Sequence, residues 1–111
     1  MAAPSMKPAP WLPHALALLR QYCPVPEGVR VVEVPRLRWW GDAWLPKAGG
    51  PFEIRLVRGI GRAAGPEMLA HEWAHCRAWW SSRIDHGPAW GVEYARAYRV
   101  LVDGWRPRRA R

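Results

Sequence analysis

Three of the chain's four histidines, His71, His75 and His86, fall within one stretch, LAHEWAHCRAWWSSRIDHGPAW, from Leu69 to Trp90. Inside it His71-Glu72-Trp73-Ala74-His75 spells an HExxH pattern. On a helix, residues four apart differ by only about 40° in direction, so both imidazoles project from one side and can grip one metal ion. Glu72 then points about 100° from His71, beside the ligand pair but not on it. The apolar set Leu69, Trp73, Cys76 and Trp80 spreads over roughly 140° to 200° of the same wheel. Such a helix has a metal face, a neighbouring carboxylate and a separate burial face.

A catalytic site of this kind takes three protein ligands and keeps one position for water. The candidates for the third ligand are His86, its neighbour Asp85 and Glu93. His86 is favoured because it ends a turn beside Gly87, where glycine permits close backbone approach. The metzincin extension fails, since Ala78 stands where a glycine is needed and Ser81 where a histidine is needed.

The rest of the chain must position these groups. Leu12, Ala15, Leu16 and Leu19 recur at helical spacing, so Trp11 to Tyr22 is read as a short amphipathic helix. CPVPEG stops it. VRVVEV is rich in β-branched residues and reads as a strand, closed by Pro35. LRWWGDAWL is ambiguous, with Gly41-Asp42 as a bend. PKAGGP is a loop, and FEIRLVRG alternates as a strand, with Phe52, Ile54, Leu56 and Val57 against Glu53, Arg55 and Arg58. The glycines of GIGRAAG lack the strand–GxGxxG–helix context, so they read as a connector and not a phosphate cradle.

Pro66, with Glu67 behind it, opens the HExxH helix, expected to reach about Trp80. Gly87-Pro88 opens a final helix to about Val102. Its stripe of Trp90, Tyr94, Ala97, Tyr98 and Leu101 is spaced as a buried face. The division expected is a flexible arm over 1–10, one domain over 11–105 and a basic tail over 106–111.

Half of the 111 residues are hydrophobic, enough for one packed core. Most of the nine tryptophans are expected to be core fillers. The net charge is +8, and Lys7 and Lys47 are the only lysines among 17 basic residues. That balance attracts nucleic acid, anionic surfaces or acidic partners but says nothing of fold. Cys23 and Cys76 are too few for a disulfide framework, and their pairing stays open. No apolar run approaches the roughly twenty residues of a membrane span, and no convincing signal peptide is present. The expectation is a soluble cytoplasmic protein.

HEWAH followed by DHGPAW resembles the SprT/Spartan family of zincin metalloproteases, over roughly Met68 to Leu101 plus a compatible order of elements before it. The resemblance implies a minimal zincin-like α+β fold: an N-terminal helix, a small three-stranded sheet, the HExxH helix, and a C-terminal helix with the third ligand at its start. It implies Zn²⁺ on His71, His75 and His86, Glu72 as general base, and Trp90 packed behind the third ligand. It also implies proteins attached to DNA as substrates. The chain departs from longer members of the family in lacking a cysteine-rich zinc ribbon and any separate DNA-binding module. Contact with DNA would fall to arginines of the core and to Arg106, Arg108, Arg109 and Arg111.

The chemistry expected is peptide-bond hydrolysis by a water activated at zinc, with Glu72 taking its proton and passing it to the leaving nitrogen. Tyr94, Tyr98 and Arg96 are candidates to stabilise the oxyanion, although both tyrosines share the apolar stripe and suit core packing. An extended substrate would pair with an exposed strand, either LRWWGDAW or FEIRLVRG, over a floor of Trp39, Trp40 and Trp44. Three rival readings exist. One is a small basic nucleic-acid-binding protein with structural zinc, another a metal-dependent hydrolase of a non-peptide bond, and the last an interaction protein with a tryptophan surface.

Overall fold

The computed structural model describes residues 8–81, 85–104 and 106. The first part of the expected arm, and Arg108, Arg109 and Arg111 of the expected tail, lie outside the described residues. The fold is α+β, with three helices and a three-stranded sheet. The order is α1 (Leu12–Tyr22), β1 (Val29–Val34), β2 (Gly41–Trp44), β3 (Phe52–Val57), α2 (Gly65–Arg77) and α3 (Pro88–Leu101).

Strand order in the sheet is β1-β3-β2. β3 is central, parallel to β1 from Val29↔Phe52 to Val34↔Val57, and antiparallel to β2 from Gly41↔Leu56 to Trp44↔Glu53. Phe52, Ile54 and Leu56 are buried while Glu53, Arg55 and Val57 are half-buried, the period of two expected of a strand with one face on the core. FEIRLVRG therefore has neighbours on both sides and cannot accept a substrate strand. Only β2 and β1 offer an edge.

α1 buries Leu12, Ala15 and Leu19 on one stripe. The Trp11 ring before it packs against Gly65, where an added Cβ would come within 2.2 Å of it, and its Nε1 donates to Ile60 O at 3.1 Å. α2 is the hub of the fold, touching α3, α1 and the sheet through β2 and β3. Its core face is Leu69, Ala70, Trp73 and Cys76. Trp73 is 1 % exposed and donates from Nε1 to Cys23 O at 2.7 Å, so its one polar atom is satisfied inside the core.

Several expectations are corrected. α2 ends at Arg77, capped by Ala78, and does not reach Trp80. Trp80 therefore leaves the burial face, becoming 71 % exposed and donating to Glu27 Oε2 at 2.8 Å. Tryptophan is not mainly core filler: Trp39, Trp40, Trp44, Trp79 and Trp80 are all exposed, and Trp73 alone of the described tryptophans is fully buried. On α3 the buried residues are Ala97 and Val100, while Trp90, Tyr94 and Tyr98 are only half-buried; Trp90 and Tyr94 lie against the histidines and Tyr98 against Tyr94. Cys23 and Cys76 are both free and buried, and burial pushes the Cys76 thiol up to about 12. No helix among the described residues is long and apolar enough to cross a membrane.

Candidate metal centre

α2 and the turn before α3 bring the three imidazoles together. His86 Nε2 lies 3.1 Å from His75 Nε2 and 3.0 Å from His71 Nε2, and ligand atoms of all three fall within 4.8 Å of one another. Three nitrogens bound tetrahedrally at about 2.0–2.1 Å sit roughly 3.3–3.4 Å apart, so the two contacts that His86 makes need only a few tenths of an ångström of expansion around an ion.

Electrostatics favour the same use. Burial, reinforced by His71 and then His86, depresses His75 to about 4. Burial also lowers His71, with His86 adding to the effect. Neutral imidazole is the form that ligates metal. Three imidazoles with converging Nε2 atoms cannot all satisfy one another by N–H···N bonds, and a cation satisfies every lone pair at once. The donor set fits a divalent metal.

Trp90 forms the wall behind the cluster. Its ring centroid lies 4.9 Å from that of His71, 5.5 Å from His75 and 4.7 Å from His86, and its Nε1 donates to His71 O at 3.2 Å. Tyr94 stacks on Trp90 at 4.9 Å and also lies beside His71, with 6.0 Å between ring centroids. The turn that presents His86 is strained. Its φ is 57°, the only positive value at a non-glycine among the described residues. Gly87 keeps an extended backbone, with φ −77° and ψ −172°, so the freedom expected of the glycine is not used and the histidine takes the left-handed conformation.

The other candidates for third ligand fall elsewhere. Glu93 is held by Arg77, which also donates to Pro24 O, and by Arg96 at 3.1 Å. Asp85 faces the Nδ1 atoms of His75 and His86, on the opposite edge of each ring from the cluster.

Glu72 is outside the three-histidine group yet lines the same cleft, at 4 % exposure. Burial first, then the charges of Asp42 and Asp85, raise its carboxyl from 4.5 to about 7. Gly41, the first residue of β2, lies beside it. A Cβ there would sit 3.4 Å from Glu72 Cγ, 3.0 Å from Arg55 O and 3.1 Å from Leu56 Cδ2. The sequence suggests only a bend at Gly41; its register opposite Leu56, where a Cβ would crowd Arg55 O and Leu56 Cδ2, leaves no local pattern.

The cleft encloses about 590 Å³, with Trp39 and Trp40 on one side, Trp79 on another and Asp42 on the strand. Asp42 is paired with Arg55 across the β2–β3 ladder. Trp44 does not reach the cleft: it lies at the far end of β2 and donates to Glu53 Oε1 at 3.3 Å. Next to His71 a smaller cavity of about 210 Å³ lies between Trp40, Met68 and Tyr94, with Glu67 at its edge. Of the three oxyanion candidates, only Tyr94 borders a cavity shared with a histidine of the cluster; Arg96 is paired with Glu93. Arg106 is tied to the body, donating to Val100 O at 2.9 Å and lying over the Tyr22 ring.

Against family models, curated proteins and solved structures, the chain has no match.

Proposed function

We propose that this chain is a zinc-dependent metallopeptidase of SprT-like type. The observation that carries the reading is the convergence of His71, His75 and His86 on one point, with buried Glu72 on the same cleft but outside the cluster. Three imidazoles with converging ligand atoms suit zinc among the common divalent ions. When bound, such an ion supplies Lewis acidity that polarises a carbonyl and makes water acidic near neutral pH.

The remaining work belongs to side chains and backbone. β2 is an edge strand beside α2, so an extended peptide can add to it through backbone hydrogen bonds and lie across the cleft. Trp39 and Trp40 border that path, and the cavity beside His71 accommodates one side chain of the substrate. A Glu72 carboxylate oxygen takes a proton from the attacking water and returns it to the leaving nitrogen. Its enclosure by Gly41 and the β2–β3 ladder fixes the direction of that transfer. The Tyr94 hydroxyl is the candidate donor to the developing oxyanion.

Glu72→Gln tests the reading. Zinc content should persist while hydrolysis of unfolded casein falls by about 10²–10⁴-fold. Unchanged turnover removes Glu72 from this role.

A second reading is a basic nucleic-acid-binding protein in which the ion is structural. It draws on the net charge of +8 and on Arg38, whose guanidinium lies 5.4 Å from the centroid of the exposed Trp39 ring, an arrangement on which bases can stack. Cleavage assays with and without single-stranded DNA separate the two. Proteins attached to DNA are the substrate class that the peptidase reading takes from the family resemblance.

A further inference from the structure

Imidazoles that hold a metal are oriented by whatever their second nitrogen meets. Two of the three rings here meet the same carboxylate. Asp85 Oδ1 lies 3.7 Å from His75 Nδ1, and Oδ2 lies 3.5 Å from His86 Nδ1. The two oxygens thus serve two rings on different elements, one on α2 and one on the turn before α3. On both rings they face the nitrogen opposite the one that joins the cluster.

A carboxylate accepts hydrogen bonds and donates none, so it selects the tautomer with hydrogen on Nδ1 and leaves Nε2 with its lone pair. That is the tautomer the cluster needs. Distances of 3.5 and 3.7 Å are charge–dipole contacts, and about 0.5 Å of closure converts each into a hydrogen bond. Asp85 is 77 % exposed, so it has the freedom to make that adjustment. It also adjoins the one described non-glycine residue with left-handed backbone, His86, whose ring has no helix to fix it. Glu93, the other acid near the turn, is already engaged by Arg77 and Arg96.

We propose that Asp85 is a positioning residue of the metal centre, a single carboxylate that aligns His75 and His86 together through their Nδ1 atoms and directs both Nε2 atoms onto the ion. The role rests on the three-imidazole metal reading above. It differs from ligation: the carboxylate acts through the histidines and does not touch the metal.

The test is Asp85→Ala, read by zinc dissociation constants from chelator competition and by long-range ¹H–¹⁵N spectra of the imidazoles. Zinc should bind about 10- to 100-fold more weakly. In the metal-free protein His75 and His86 should lose their bias towards the Nδ1–H tautomer while His71 keeps its own. Thermal unfolding of the metal-free variant should match wild type, and Asp85→Glu should restore part of the affinity. Wild-type affinity and unchanged tautomers in Asp85→Ala overturn the proposal while leaving the metal centre intact. A loss as large as that of His86→Ala also overturns it, by making Asp85 a ligand. Failure of the wild-type chain to take up zinc removes the metal reading and this role with it.

Discussion

The two halves of the histidine cluster are built on different principles. His71 and His75 ride on α2, whose opposite face carries Trp73 into the core with its indole nitrogen bonded to Cys23 O. Their relative placement follows from helical geometry, and the packing of α2 against the sheet, α1 and α3 holds it. His86 rides on a turn, is largely exposed, and adopts a φ of 57° that disfavours any residue with a Cβ. A rigid pair and a strained single ligand teach that the first two positions are inherited from the fold, whereas the third is held at a cost in backbone energy.

The difference can be broken most forcefully from the rigid side. Trp73→Ala empties the centre of the core beneath the two ligands, and we expect a loss of about 3–5 kcal/mol, measured by urea unfolding of the metal-free protein. A loss below about 1 kcal/mol would mean that α2 is not anchored there.

Glu72 sits on the same rigid element, and its burial should show in the pH dependence of stability. Its folded pKa is raised from 4.5 to about 7, so between those values the folded state holds more proton than the unfolded state. Its contribution is then fully present below about pH 4.5 and lost as pH rises through about 7, a change of about 3 kcal/mol. In metal-free protein Glu72→Gln should abolish this fall, so the variant gains on wild type between pH 5 and pH 8. Parallel stability curves for the two proteins would contradict the assignment.

The turn predicts a smaller effect of opposite sign. His86→Gly relieves the left-handed conformation and should stabilise the metal-free protein by about 1 kcal/mol. His75→Gly, within α2, should destabilise it by about the same amount. Equal signs for the two would erase the distinction between the halves.

The sequence made the rigid half legible for the same reason. The i, i+4 histidines, the glutamate one residue on and the apolar residues at 69, 73 and 76 follow one helical period, and the β3 alternation follows another. What escaped it depended on contacts between distant segments. Periodicity puts Trp80 on the burial face because it has no sense of where α2 stops, and α2 stops at Arg77. Residue type makes most tryptophans core fillers, yet the segments before β2 and after α2 carry Trp39, Trp40 and Trp79 to the cleft and Trp80 to the surface. Gly41 meets Glu72 through strand register, and Asp85 meets two imidazoles through a turn, neither of which leaves a pattern along the chain.

Metal content per chain is the most direct measure of the central claim. After loading with zinc and removal of excess, elemental analysis should find one ion per chain in the wild-type protein and in Glu72→Gln. His71→Ala should retain none, and His86→Ala should lose its ion to a weak chelator. A wild-type chain that holds no ion, or a His71→Ala chain that holds as much as wild type, would contradict the account.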